Sequence, residues 1–304
     1  MSITVPANTG SRSDSNAVAF KRGLGLFDSI MIVVGIMIGS GIFIVPAEMS
    51  RLIASPGWLL VAWGVTGILT VTGALSYGEL AAMIPEAGGM YVYLREAFSP
   101  IIAFLYGWTF WAVIQTGILA AVAIAFARSA GVLFPSIAED HYLLVPTHVI
   151  GRYSVSLSTT QLVAIGVIAV LAFANMRGLN YGRILQNIFT IAKVGAVATL
   201  IVLGCTIGIH HTAIVENLHH FWTVRHPVQF AAGMDASSGI GLFLAVCLAQ
   251  TGSLFSSNSW DNVTFIAAEI RNPSRNLPLA LAIGTSSVIA LYLLMNLAYL
   301  LTLP

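Results

Sequence analysis

An all-α polytopic membrane protein is the fold class that this 304-residue chain predicts, and three observations predict it. Hydrophobic residues make up 57% of the sequence and charged ones only 8%, where soluble domains carry about a quarter charged residues. The apolar residues gather into runs that reach the roughly 20 residues a helix needs to cross the hydrocarbon core. Two of these runs, the first and the sixth, are interrupted by glycines and small polar residues that a lipid-facing helix would avoid.

Seven such runs fall at approximately 24–49, 57–83, 101–134, 158–176, 184–209, 239–268 and 277–303. Several exceed the minimum length, which calls for tilt or a break. Residues 1–22 are polar, no cleavable signal peptide is visible, and the first run would itself direct insertion. With the N-terminus inside, the inner segments carry Arg12, Lys21, Arg22, Arg95, Arg177, Arg183, Arg271 and Arg275, and the outer ones only Arg51, Arg152 and Arg225. That asymmetry predicts a cytoplasmic N-terminus, in a multi-pass protein expected in the cell membrane. Of the two remaining bases, Arg128 is near enough to an outer end to snorkel, whereas Lys193 is not.

A net charge of +1 gives no reason to expect a nucleic-acid partner. Cys205 and Cys247 lie inside apolar runs and are expected to be free core thiols. All seven histidines fall in the two long outer loops, where adjacent pairs without a carboxylate at ligand spacing predict neither a metal site nor any other cofactor. Those loops are expected to form short surface helices. No nucleophile–base pair lies at membrane depth, so an enzyme is not expected.

The first interruption is Gly35-Ile36-Met37-Ile38-Gly39-Ser40-Gly41. A glycine costs about 1 kcal/mol relative to alanine inside a helix, so something must compensate. Either the helix breaks here to expose backbone N–H and C=O groups to a ligand, or Gly35 and Gly39 form a small-xxx-small packing face. The second interruption, Phe255-Ser256-Ser257-Asn258-Ser259-Trp260-Asp261, must face other helices or water. Between them, Lys193 lies about 14 Å into the fifth run at 1.5 Å per residue, a depth that marks it as functional. After the second run, Gly88-Gly89 gives a tight turn, and the residues that follow can lie along the membrane surface.

Four stretches together resemble the amino acid–polyamine–organocation superfamily, in particular its L-type amino acid transporter and bacterial amino acid exchanger branch. They are Gly39-Ser40-Gly41-Ile42-Phe43, Pro85-x-Ala87-Gly88-Gly89-x-Tyr91-x-Tyr93, Gln186-Asn187-x-Phe189-Thr190-x-x-Lys193 and Glu269-x-x-Asn272-Pro273-x-Arg275-Asn276-Leu277-Pro278. The resemblance implies a leucine transporter-type inverted-repeat fold. A tail at 1–22 would lead into a first five-helix repeat at 23–209. An outer loop at 210–238 would follow, then the first two helices of a second repeat at 239–304.

The same resemblance implies an amino acid as substrate and no cofactor. The N–H groups of Ser40 and Gly41, beside Gly39, would hold its carboxylate. Carbonyls of Met37, Phe255 and Asn258, next to Ser256, would hold its ammonium, with the Phe255 ring as a gate. Lys193 would replace a sodium ion. Where relatives often carry glycines, this chain has Asn258 and Ser259, which implies a more polar pocket floor. Relatives commonly have twelve spans, so the remaining helices, or an accessory subunit, are expected from elsewhere. The implied function is sodium-independent transport of L-amino acids by alternating access, as an exchanger. Proton symport and a non-transporting sensor are the alternatives.

Overall fold

The computed structural model describes residues 22–303 except 139, 151–152, 177, 227 and 231–232, with backbone alone for 145–150, 153–155, 179 and 180. Arg12, Lys21, Arg152, Arg177 and the His148 side chain, all used above, lie outside the described residues. The first run is two helices, α1 (Leu26–Met37) and α2 (Gly41–Ile53), bent by 44° at their junction. Then come α3 (Pro56–Met83), the short α4 (Met90–Ala97) and α5 (Pro100–Thr109), which passes through a π-helical segment, Phe110–Gln115, into α6 (Thr116–Leu133). Strands β1 (Tyr142–Ile150) and β2 (Tyr153–Ser158) precede α7 (Thr159–Met176), α8 (Leu179–Thr206), α9 (His211–His219) and α10 (Gly239–Ser256). A 3-10 helix, Trp260–Glu269, and α11 (Pro273–Thr302) complete the order.

Six of the described helical stretches are long and apolar enough to cross a membrane, and the bent pair makes a seventh if it counts as one span. The chain is thus a mostly helical, multi-pass membrane protein. One expectation fails at the first long loop: it forms an antiparallel hairpin, β1 with β2, and not surface helices. Seven of its fifteen strand residues are Val, Tyr, Thr or Ile, which suit a pleated strand better than a helix. The second long loop does hold a helix, α9. Both cysteines are free, but neither is a core thiol: Cys205 is half-buried and Cys247 exposed.

The last long helix organises the core. Leu277, Leu281, Gly284, Val288, Tyr292 and Met295 recur every three or four residues along α11 and are all buried, packing on α1, α3 and α8. Gly284 is required by the close crossing with α1, because a Cβ there would sit 2.8 Å from the Val33 side chain. Polar contacts lock α3 to α10: Thr66 Oγ1 lies 2.7 Å from both Gln250 Oε1 and Ser253 Oγ, and Gln250 Nε2 donates to the Ala62 carbonyl at 2.9 Å.

Each end of the bundle is tied. At one, Asn217 of α9 donates to the Leu300 and Leu303 carbonyls at the C-terminus of α11, at 2.9 and 2.8 Å. Ser55 and Gly57 at the start of α3 donate to the Phe221 carbonyl just beyond α9. At the other end Leu24 bridges Ile270 in parallel: Leu24 N–H donates to Glu269 O at 3.1 Å and Arg271 N–H to Leu24 O at 2.9 Å. Asp28 anchors this strap by accepting from Gly25 N–H and from Asn187 Nδ2, both at 3.1 Å, with Arg183 3.8 Å away. Asp28→Ala removes both bonds, a loss of about 1–2 kcal/mol. Amide hydrogen exchange at Leu24 and Arg271 should accelerate by roughly tenfold. Unchanged exchange at those amides would show that the strap stands without Asp28.

Candidate functional site

Both interruptions are breaks, and they meet. α1 stops at Met37, Ile38 turns extended, and α2 starts again at Gly41. α10 stops at Ser256, and its 3-10 continuation starts after Ser259, whose φ of +72° is left-handed. A non-glycine residue there costs on the order of 1–2 kcal/mol, so the surroundings hold the turn against its own preference. Gly41 brings the two breaks into contact: a Cβ on it would lie 2.5 Å from the Ser256 Cβ. Gly39 is different, since a side chain there would enter open space. Gly35 serves packing, because its Cβ would collide with Thr190 and Gln186 of α8. The first glycine of the sequence pattern is thus a packing contact and the third a close approach between breaks.

The backbone groups exposed by the breaks divide by sign. At the start of α2, Ser40 and Gly41 N–H groups have no acceptor among the described residues, as the first turn of any helix leaves its donors unpaired. Along the last two turns of α1, carbonyls receive side chains from α8 and α11. Thr190 Oγ1 donates to Met31 O at 3.2 Å, Lys193 Nζ to Gly35 O at 3.0 Å, and the Tyr292 hydroxyl to Met37 O at 2.9 Å. With Asn187 on Asp28, these donors form a ladder up one face of α8, at a spacing of three residues. Lys193 therefore places its charge on the negative end of the α1 dipole, although the residue remains partly open at its surface.

The second break is closed similarly. Ser257 N–H donates to Ser253 O at 3.0 Å, Asn258 N–H to Phe255 O at 3.3 Å, and Ser256 O lies 3.2 Å from the Tyr292 hydroxyl. The Ser257 hydroxyl is buried without a partner among the described residues. Among the residues singled out in the sequence, Met37, Gly41 and Ser256 come together, with Gly39, Ser40 and Asn258 exposed on the same pair of breaks. The Phe255 ring is 73% exposed and stacks on no described ring. Beyond the second break, Trp260 packs edge-on against Tyr77 at 5.0 Å, and Tyr77 against Tyr93 at 6.0 Å. Burial, the larger effect, pushes the Tyr93 phenol up in pKa, and Thr264 beside it works the other way.

Tyr292 was missed in the sequence. A signal for it exists: a phenol in the middle of an apolar run needs a buried partner for its hydroxyl. Its ring is fully buried and held edge-on by Trp63 at 5.7 Å.

Residues 24–304 match the amino acid permease family. The chain is 32% identical over 94% of its length to b(0,+)-type amino acid transporter 1 of Mus musculus, covering 53% of that protein. It is 30% identical over 94% of its length to large neutral amino acids transporter small subunit 2 of Homo sapiens, covering 48% of it. To the cystine/glutamate transporter of Pongo abelii it is 29% identical over the same share, covering 51%. The chain spans about half the length of the curated relatives it matches. With paired helix breaks inside a multi-pass bundle and a family match across nearly all of its residues, the chain belongs to the amino acid permease family, whose members are transporters and not enzymes.

Proposed function

We propose that the paired breaks bind an L-amino acid and that the full-length product of the gene carries it across the membrane by alternating access. The observation that carries this reading is the division of backbone charge at one place. Unpaired N–H groups of Ser40 and Gly41 start α2, while carbonyls of Met37 and Ser256 end α1 and α10. A helix N-terminus attracts a carboxylate and a helix C-terminus an ammonium, and an α-amino acid carries both on adjacent atoms. Related proteins named as amino acid transporters support the substrate class.

The arrangement suits an inverted-repeat fold in which 23–209 is one repeat and 239–304 the start of the other. The charge asymmetry of the sequence favours a cytoplasmic N-terminus. Lys193 supplies a permanent positive group at the end of α1, where a cation would otherwise be required. Transport is therefore sodium-independent, and a lysine that keeps its proton makes it an exchange.

Three outcomes test this reading. Gly41→Val drives a side chain into Ser256, and should abolish amino acid binding in a scintillation proximity assay while the protein still inserts and purifies; unchanged affinity sinks the carboxylate assignment. Counterflow of labelled amino acids into proteoliposomes should be unaffected when choline replaces sodium, and a loss of about tenfold would contradict sodium independence. Vesicles empty of amino acid should accumulate none under an imposed pH gradient. Concentrative uptake that Lys193→Ala abolishes would make the lysine a proton carrier.

A further inference from the structure

The stretch from Glu269 to Pro278 takes no part in the site at the breaks, yet it gathers charge of one sign. Arg271 N–H donates to Leu24 O at 2.9 Å and Arg271 Nε to Arg22 O at 3.4 Å, and Arg275 follows about one helical turn later. From α8, Arg183 Nη1 reaches Gly23 O at 3.5 Å. Four guanidinium groups thus belong to one end of the bundle, around the strap at 22–24. Two carboxylates of the same segments, Asp28 and Glu269, stand against them. Asp28 is committed to Gly25 N–H and Asn187, with Arg183 beside it. Arg22, Arg271 and Arg275 are exposed, and among the described residues none of the three has a carboxylate within ion-pair distance.

The helix that starts here adds to the imbalance. α11 has no acid in its first turn, and its N-cap residue Asn272 makes no side-chain cap. A helix N-terminus carries about half a positive charge and favours an anion, so Arg271 and Arg275 add like charge to a positive end. Only an added anion offsets all of it. An arginine fork matches two oxygens of a phosphate at once.

Depth decides which anion. α1, α8 and α11 all begin at this end, so the strap lies at a membrane boundary. Phe27 and Tyr181, close in the chain to Asp28 and Arg183, are 63% and 64% exposed. Exposed aromatic rings at the ends of spans sit at headgroup level, which puts the neighbouring guanidinium groups in the plane of the lipid phosphates. We propose that Arg22, Arg271 and Arg275 bind the phosphate of an anionic phospholipid. One lipid then touches the starts of α1 and α11 together and reinforces the bridge between Leu24 and Ile270. The site is independent of the amino acid reading of the breaks.

Native mass spectrometry of the full-length gene product, titrated with phosphatidylglycerol or phosphatidylcholine, tests this. Wild type should prefer phosphatidylglycerol. Arg271→Gln and Arg275→Gln should each weaken it by about fivefold and leave phosphatidylcholine unchanged, the effect of one basic group at an anionic membrane surface. Arg51→Gln, at the far end of α2, should change neither lipid. Equal binding of the two lipids by wild type overturns the proposal, and so does a loss in Arg51→Gln as large as in Arg275→Gln. Displacement of the lipid by excess inorganic phosphate would make this a site for a free anion and overturn the lipid assignment. If Arg271→Gln does not survive purification, Arg275→Gln carries the test alone, because the Arg275 side chain makes no hydrogen bond or ion pair among the described residues. An unchanged lipid preference in it overturns the proposal.

Discussion

A peptide group at membrane depth cannot be left without a hydrogen-bond partner except at a cost of several kcal/mol, and this chain interrupts two helices there. What the rest of the bundle must do follows from that. On the carbonyl side of the first break, Val34 receives the Ile38 N–H, Gly35 receives Lys193 and Met37 receives Tyr292. Accounting for the second uses its own chain for Ser253 and Phe255 and the same tyrosine for Ser256. The N–H side is left open at Ser40 and Gly41. Negative ends are filled from within and the positive end is not, so the pair of breaks is poised for an anion first. A cation must compete with groups already in place.

The filling groups dictate packing around them. Thr190 and Lys193 reach α1 only because Gly35 has no side chain to keep α8 away. Tyr292 reaches both breaks only because Gly284, two turns earlier, lets α11 cross close to Val33. Small residues in this bundle are therefore not places where the helices are weak. They are places where a neighbour's donor must come within 3 Å of a carbonyl.

Much of this is readable from the chain. Spans follow from the length of apolar runs, and both interruptions from glycine and serine where lipid would forbid them, although at the first the sequence left a break and a packing face as alternatives. Lys193 follows from its depth, whereas Asn187 and Thr190 stand in the sequence only as part of the motif around it, and their partners on α1 come from the structure. The hairpin at Tyr142–Ser158 was not readable as such, because a short apolar segment outside the spans fits a strand or a surface helix, and pairing is decided by a partner strand several residues away. The π-helical segment Phe110–Gln115 was not readable either. It sits beside the second break, with Phe110 against Phe265 at 5.3 Å, and one inserted residue per turn leaves no mark in composition. Tyr292 is an instructive miss. Its polarity was visible in the sequence, but its two acceptors are 36 and 255 residues away, and only the crossing of α11 over both breaks joins them.

That crossing also bears on which parts can move. Asp28, Met31 and Gly35 of α1 are bound by Asn187, Thr190 and Lys193 of α8, one bond for each turn. Separating α1 from α8 would break all three together, at about 0.5–1.5 kcal/mol for each neutral bond and more for the charged lysine. Any tilt of α1 is thus less costly if α8 travels with it. On its other side α1 meets α11 through apolar packing and one phenol shared with a second acceptor, and meets the Glu269–Arg271 segment through a short strap at its start. The sliding of apolar side chains leaves no polar group unpaired, whereas the loss of the ladder would leave a lysine without its carbonyl. The polar bonds of α1 accordingly lie on its α8 side, while its α11 side is held by apolar packing and that shared phenol.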